Sequence, residues 1–264
     1  MDAFFSLSIA ERKSIFYDTY RNQDFAFPGS LIYYIAKNPL SPKVYQKLIK
    51  TCKFFFVKNP ILVLSNLYYY NEWVTWSNGN RTKVDLENGL GKYWVSEYFG
   101  ACSSRPSIAA SIVPRISFCN IQHLSLTNQI ISYNDLMILA KDVEDLTMDK
   151  VFVKNEATCF VTMDKIFDLF PKNPNFLALD VFTCCRVSDN FDIEAFYAYM
   201  KSNKHTKIIL EFAGNISVAL KNRLEQIVDE ILSTQNHGYK PPFLSFHGLA
   251  QQKLNAIRDL SFSA

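Results

Sequence analysis

A chain of 264 residues with 22 Phe, 14 Tyr and 3 Trp against only 8 Gly, 48% hydrophobic and 20% charged, is long enough to bury a large core as one elongated domain or two small ones. That composition excludes disorder as the main state, and the glycine shortage excludes the two common phosphate loops: nothing begins G-x-x-x-x-G-K, and after Gly89 and Gly91 the third glycine of G-x-G-x-x-G falls on Trp94. The net charge of +3 is too small to imply a nucleic-acid partner, but residues 1–75 hold 9 Lys/Arg against 5 Asp/Glu and residues 135–194 hold 6 against 12, which fits either two surfaces with different partners or unevenly solvated faces.

The first expected helix opens with the capping box Ser8/Glu11 and places Ile9, Ile15, Phe16 and Tyr20 on one side. A second follows Phe27-Pro28-Gly29-Ser30, with Ser30 as cap, and stops before Pro39. Ser41-Pro42 then joins an N-cap to proline at the first helical position, and Val44, Tyr45, Leu48, Ile49, Cys52, Phe55 and Phe56 recur at helical spacing until Asn59-Pro60 ends the run. ILVLSNLYYY reads as a strand, a buried extended run or a short helix, and residues 71–92 as a linker or hairpin. These boundaries suggest a helical region at 1–75, a connecting segment at 76–100 and a strand-helix domain at 101–264.

Across that last region leucine-like residues stand two apart at Leu124/Leu126, Leu146/Met148, Leu177/Leu179, Ile208/Leu210 and Leu244/Phe246, at intervals of 22, 31, 31 and 36 residues. Helical stretches separate them, after Ser132, Thr162, Asp192 and Ser217. A strand followed by a short helix cannot bury both strand faces alone, so the units should stack into a parallel sheet with helices outside, in a leucine-rich-repeat-like array or an ordinary α/β domain. Pro241-Pro242 places the last strand at a sheet edge.

Chemical motifs are sparse. There is no G-x-S-x-G elbow, the six Cys show no C-x-x-C spacing, and His123, His205, His237 and His247 stand at no short ligand interval from them. Glu144, Asp145, Asp149 and the pair Asp164/Asp168 read as solvated carboxylates, and Cys184-Cys185 beside Arg186 as a packed or exposed pair. Lys43, Lys47, Lys50, Lys53 and Lys58 read as a solvated face beside core aromatics Phe54 to Phe56. No catalytic, cofactor-binding or metal-ligating residue is assigned, and no cofactor, nucleic acid or membrane partner is expected. MDAFFSLSIAERK lacks the order of a secretory signal and no apolar stretch reaches membrane-spanning length, so a cytoplasmic or nuclear protein with reduced thiols is expected, with the sequons at Asn80 and Asn215 accidental.

The stretch FPGSLIYYIAKNPLSPKVYQKLIKTCKFFF resembles an F-box, with a proline-ended entry, an apolar helix, a proline-bearing turn and a second helix. With NQIISYNDLMILA, FDIEAFYAYMKSNK, RLEQIVDEI and YKPPFLSF, nearly the whole chain resembles a lineage-expanded nematode family of uncharacterised F-box-like proteins with a leucine-rich-repeat-like C-terminal region. The resemblance implies an α/β protein in which F-box-like helices pack on a short, irregular strand-helix array. It also implies a non-enzymatic adaptor that docks a Skp-type linker of a cullin ubiquitin ligase and holds a substrate protein on its repeats. Pro28, Leu31, Ile32, Ile35, Val44, Leu48 and Cys52 would face the linker or support that face. The sequence departs from the F-box pattern in having Gly29-Ser30 where an acidic or polar residue follows the proline, and in the turn Asn38-Pro39-Leu40-Ser41-Pro42. Two alternatives stand beside the adaptor: a scaffold whose helices only cap the repeats, against Trp73, Trp76 or Trp94, and, more remotely, an enzyme with an unrecognised site.

Overall fold

The computed structural model describes residues 9–77, 79–86, 91–154, 160–161, 176 and 179–263. Ser8, Cys159, Thr162 with the helix expected after it, Asp164, Asp168 and Leu177 lie outside the described residues. The chain divides into two compact units, Met1–Val63 and Leu64–Ala264.

Four helices build the first unit: α1 (Ile9–Asp18), α2 (Gly29–Lys37), α3 (Pro42–Thr51) and α4 (Lys53–Lys58). The Ser41 hydroxyl accepts a hydrogen bond from the Val44 amide and Pro42 sits at the first position, the cap that this dipeptide predicts. Ser30 is not a cap. The helix opens two residues earlier than that cap implies, at Gly29, and the Pro28 carbonyl accepts from the Leu31 and Ile32 amides. The expected continuous helix to Phe56 is likewise corrected: it breaks at Cys52, whose extended backbone (φ −147°) ends α3 and starts α4. The break turns Phe55 into a small core with Ile32 and Ala36, and Phe25, Ile35, Leu48, Ile49, Cys52 and Phe54 pack around it. Phe25 meets the Phe54 ring edge-on at 5.1 Å. Tyr45 is wholly buried and donates its hydroxyl to the Asn59 carbonyl, while the Asn59 amide donates to the Ala36 carbonyl at 3.0 Å. These bonds tie the helices together through their polar groups as well as their apolar ones.

The ambiguous ILVLSNLYYY is a strand, β1 (Ile61–Tyr69), and the unit boundary falls inside it. Of the linker or hairpin expected at 71–92 the structure shows a hairpin, so the segment drawn at 76–100 carries sheet among its described residues: β2 (Trp73–Ser77) turns through Gly79 at φ +77° into β3 (Asn80–Lys83), and β4 (Lys92–Cys102) follows. Gly79 takes the left-handed backbone there, which glycine accepts cheaply.

After β4 come α5 (Ile108–Ile112), β5 (Ile116–Cys119), β6 (His123–Thr127), β7 (Ile130–Ser132), α6 (Tyr133–Leu139), β8 (Asp145–Asp149), β9 (Phe152–Lys154) and β10 (Phe160–Val161). Then follow β11 (Val181–Val187), α7 (Ile193–Ser202), β12 (Lys207–Phe212), α8 (Val218–Ser233), β13 (Phe243–Ser245) and α9 (Gln251–Ser263). The main sheet runs β13-β12-β11-β8-β6-β4-β1-β2-β3, with β5 paired to β4, and all its pairings from β4 through β13 are parallel. A second sheet runs β10-β9-β7. The chain is therefore an α/β protein with a large, mostly parallel sheet.

Register explains the period-2 pairs. Phe99, Leu124, Leu146, Phe182 and Ile208 align across five strands, as do Ala101, Leu126, Met148, Cys184, Leu210 and Leu244 across six, and all are buried. One face of the parallel array is thus a continuous apolar floor, and the alternate residues form a half-exposed polar face, including Ser125, Thr147 and Thr183. The pair expected at Leu177/Leu179 is replaced by Phe182/Cys184, which occupy its place in the ladder. Three helices begin where the sequence places their caps: the Ser132 hydroxyl accepts from Asp135, the Asp192 carboxylate from Glu194 and Ala195, and the Ser217 hydroxyl from Leu220. β13 is an edge strand, as its proline pair predicts.

Candidate functional site

The residues assigned to partner binding separate by depth within the first unit. Pro28, Leu31 and Val44 are exposed, the last two at 43% and 42%. Ile32 is buried at 5%, and Ile35, Leu48 and Cys52 pack half-buried around the same small core. The outer three belong to a wider exposed apolar set that includes Phe27, Tyr34 and Leu40, the last 93% exposed. Lys37, Lys43, Lys47, Lys50 and Lys58 are exposed on the same helices. A large exposed apolar set rimmed by charge marks an interaction surface more often than a solvated one.

The second unit holds a cleft that the sequence did not announce. It has a volume of about 610 Å³ and lies at the C-terminal ends of β4, β6, β8 and β11, the edge where parallel strands commonly receive ligands. Arg105, Lys150 and Arg186 line it together with Tyr69, Tyr70, Asn71, Asn128 and the polar stretch Cys102-Ser103-Ser104. The cations arrive where strands end or shift register. Asn128 follows β6 at φ 55°, Lys150 follows β8 at φ 52°, and Arg186 sits at φ 56° where β11 shifts register against β12 between Cys185 and Val187. Left-handed backbone suits asparagine and is costly for lysine and arginine.

Gln129 secures the loop that carries Arg105. Fully buried, its side-chain amide donates to the Arg105, Thr127 and Asn128 carbonyls at 3.3, 3.2 and 2.9 Å, and its oxygen accepts from the Ala109 amide at 3.0 Å. The Asn128 amide adds a bond to the Ser103 carbonyl at 2.7 Å. Arg186 is held by Asp149 through two nitrogens, and this bond raises its pKa further, so it stays charged. No ion pair among the described residues engages Arg105 or Lys150.

No protein-family model, no curated protein and no solved structure matches the chain.

The remaining sequence candidates do not converge on the cleft. His123 pairs with Asp145 at 2.8 Å and His205 with Asp180 at 3.1 Å, both at strand starts, while His237 contacts the Ile231 carbonyl at 2.9 Å. Burial pushes the Cys185 thiol up to about 12, with the Glu211 and Asp149 charges adding to the rise and Arg186 opposing it only weakly. Burial pushes the Cys184 thiol up as well. Neither cysteine is poised as a thiolate. Trp73 packs on Tyr69 and Phe99, and Trp94 packs on Phe118 while donating to the Asn120 side chain at 3.0 Å. Among the described residues no group of three or more metal-ligating side chains gathers, and no helix is long and apolar enough to cross a membrane.

Proposed function

We propose that this chain is a non-enzymatic protein-interaction adaptor, a substrate-recognition subunit of a Skp/cullin-type ubiquitin ligase. Its N-terminal helices form an F-box-like docking element and its parallel strand-helix units form a leucine-rich-repeat-like surface for the substrate protein. The observation that carries the docking half is the division of labour on α2 and α3: Ile32 and Ala36 close the inner side, while Leu31, Tyr34, Leu40 and Val44 remain open to a partner. An element that served only as a cap would bury its apolar side chains rather than display them. The exposed lysines on the same helices favour a partner with an acidic rim.

The substrate half draws support from the in-register parallel ladder, which leaves a polar, small-residue face on Ser125, Thr147 and Thr183. Mixing the purified chain with a Skp-type linker and following co-elution on a sizing column tests the reading. A shared peak supports it, and separate peaks at high micromolar concentration overturn it.

A further inference from the structure

We propose that the cleft at the C-terminal ends of β4, β6, β8 and β11 is an anion site that takes a phosphate-bearing ligand. This rests on reading the second unit as the recognition half of the adaptor. It names the chemistry that this half would recognise.

The first observation is the backbone at the cleft's rim. Three left-handed residues stand at this edge, two just after β6 and β8 and one at the irregularity inside β11, and the first is Asn128, the residue type that adopts this backbone cheaply. The next two are Lys150 and Arg186, which gain nothing from that conformation as turn formers. Glycine or asparagine would take either position with less strain. Long cationic side chains at both strained positions, both lining the same cleft, point to a role for their charge, since strain of this kind gathers where a site requires it.

The second observation is the charge balance. Of the carboxylates near this rim, Asp149 is committed to Arg186, and Glu211 faces Cys185 on the neighbouring strand. Glu72 and Asp85 line the neighbouring groove that shares Arg105, but Glu72 is taken by Lys83 at 3.0 Å and by Arg81 at 3.6 Å. Asp85 shares that groove with Arg105, and no ion pair among the described residues joins Arg105 or Lys150 to a carboxylate. The backbone of the loop that carries Arg105 is held by Gln129 and Asn128.

The third observation bears on the kind of anion. Asp149 already occupies the two-nitrogen edge of Arg186, which leaves Arg105 and Lys150 as cations on separate loops. A phosphoryl group carries up to two charges on three oxygens. It matches two cations from different strands, with hydroxyl and amide donors from Ser103, Ser104 and Asn128 around it. The volume exceeds that of phosphate alone, and Tyr69 and Tyr70 offer an aromatic wall for the rest of the ligand.

Calorimetric titration of the full chain tests this with inorganic pyrophosphate, a phosphoserine peptide and the unphosphorylated peptide. Binding of pyrophosphate without the phosphopeptide assigns the site to free phosphorylated small molecules; binding of the phosphopeptide without its unphosphorylated twin assigns it to a phosphorylated protein. Either supports the site. Lys150→Asn keeps a side chain suited to the left-handed turn, so it should melt no lower than the parent, yet it should weaken whichever probe binds by about tenfold or more. Arg105→Gln should do the same from a different loop. Absence of binding by every phosphate probe at millimolar concentration, or unchanged binding in both variants, overturns the proposal. Linker docking is read separately on α2 and α3, so its failure with phosphate binding intact removes the adaptor and leaves the cleft standing.

Discussion

Asp149 and Arg186 stand on the neighbouring parallel strands β8 and β11, and the carboxylate grips the guanidinium through both Nε and Nη2. The aspartate side chain is 17% exposed and the arginine 47%, so the pair lies between a surface bridge and a buried one. Asp149→Asn should therefore cost only about 1 kcal/mol in chemical denaturation. It should also tighten pyrophosphate binding a few-fold, since Arg186 then joins Arg105 and Lys150 as a free cation. Weaker binding in this variant would mean that Asp149 serves the ligand by orienting Arg186.

Gln129 has the opposite balance, small in charge and large in structure. Gln129→Met keeps the length of the side chain but strips hydrogen bonds from the Arg105, Thr127 and Asn128 carbonyls and from the Ala109 amide. Left buried and unpaired, these groups should lower stability by about 3 kcal/mol, visible as a lower denaturant midpoint. A loss under about 0.5 kcal/mol would show that the loop finds other partners.

Neighbouring positions on α2 should behave as opposites. Ile32→Ala empties part of the small core with Ala36 and Phe55 and should cost about 2–4 kcal/mol. Leu31→Glu lies on the exposed side and should change stability by less than about 1 kcal/mol. Equal destabilisation by both would make Leu31 core and remove it from any docking surface.

Cys185 should resist alkylation. With its thiol pushed up to about 12, the thiolate fraction at pH 8 is on the order of 10⁻⁴, against about a quarter for a free cysteine. Peptide mapping after iodoacetamide treatment at that pH should show Cys185 modified roughly a thousandfold more slowly than a small-molecule thiol. The rate should climb as pH rises toward 12. Rapid labelling at neutral pH would reopen the nucleophile reading of the Cys184-Cys185-Arg186 stretch.

What the sequence disclosed follows from the range of each interaction. Ser41-Pro42 and the caps Ser132, Asp192 and Ser217 act within one helical turn, so their pattern is local and readable. Leu124/Leu126, Leu146/Met148 and Ile208/Leu210 were legible because a strand alternates its faces every residue. Phe99/Ala101 and Phe182/Cys184 fill equivalent places in the ladder with side chains outside the leucine-like pattern. On the docking face, residue type showed that α2 and α3 are apolar. It could not show that Leu31 and Val44 point outward while Ile32 points inward, which the small core decides. The cleft was harder still, since Arg105, Lys150 and Arg186 come from three places far apart in sequence. The available signal was a polar strand end followed at once by asparagine or a cation, as in Thr127-Asn128 and Asp149-Lys150, while Arg186 lies inside β11 and carried no such mark.

The adaptor function stands or falls on one titration: a purified Skp-type linker into the full chain, repeated with Leu31→Glu and Val44→Glu. If α2 and α3 are the docking element, the parent chain binds with a dissociation constant of about 10 μM or tighter and each variant loses at least about tenfold while melting as the parent does. No heat of binding at high micromolar concentration with no complex on a sizing column, or equal affinity in parent and variants, would contradict it.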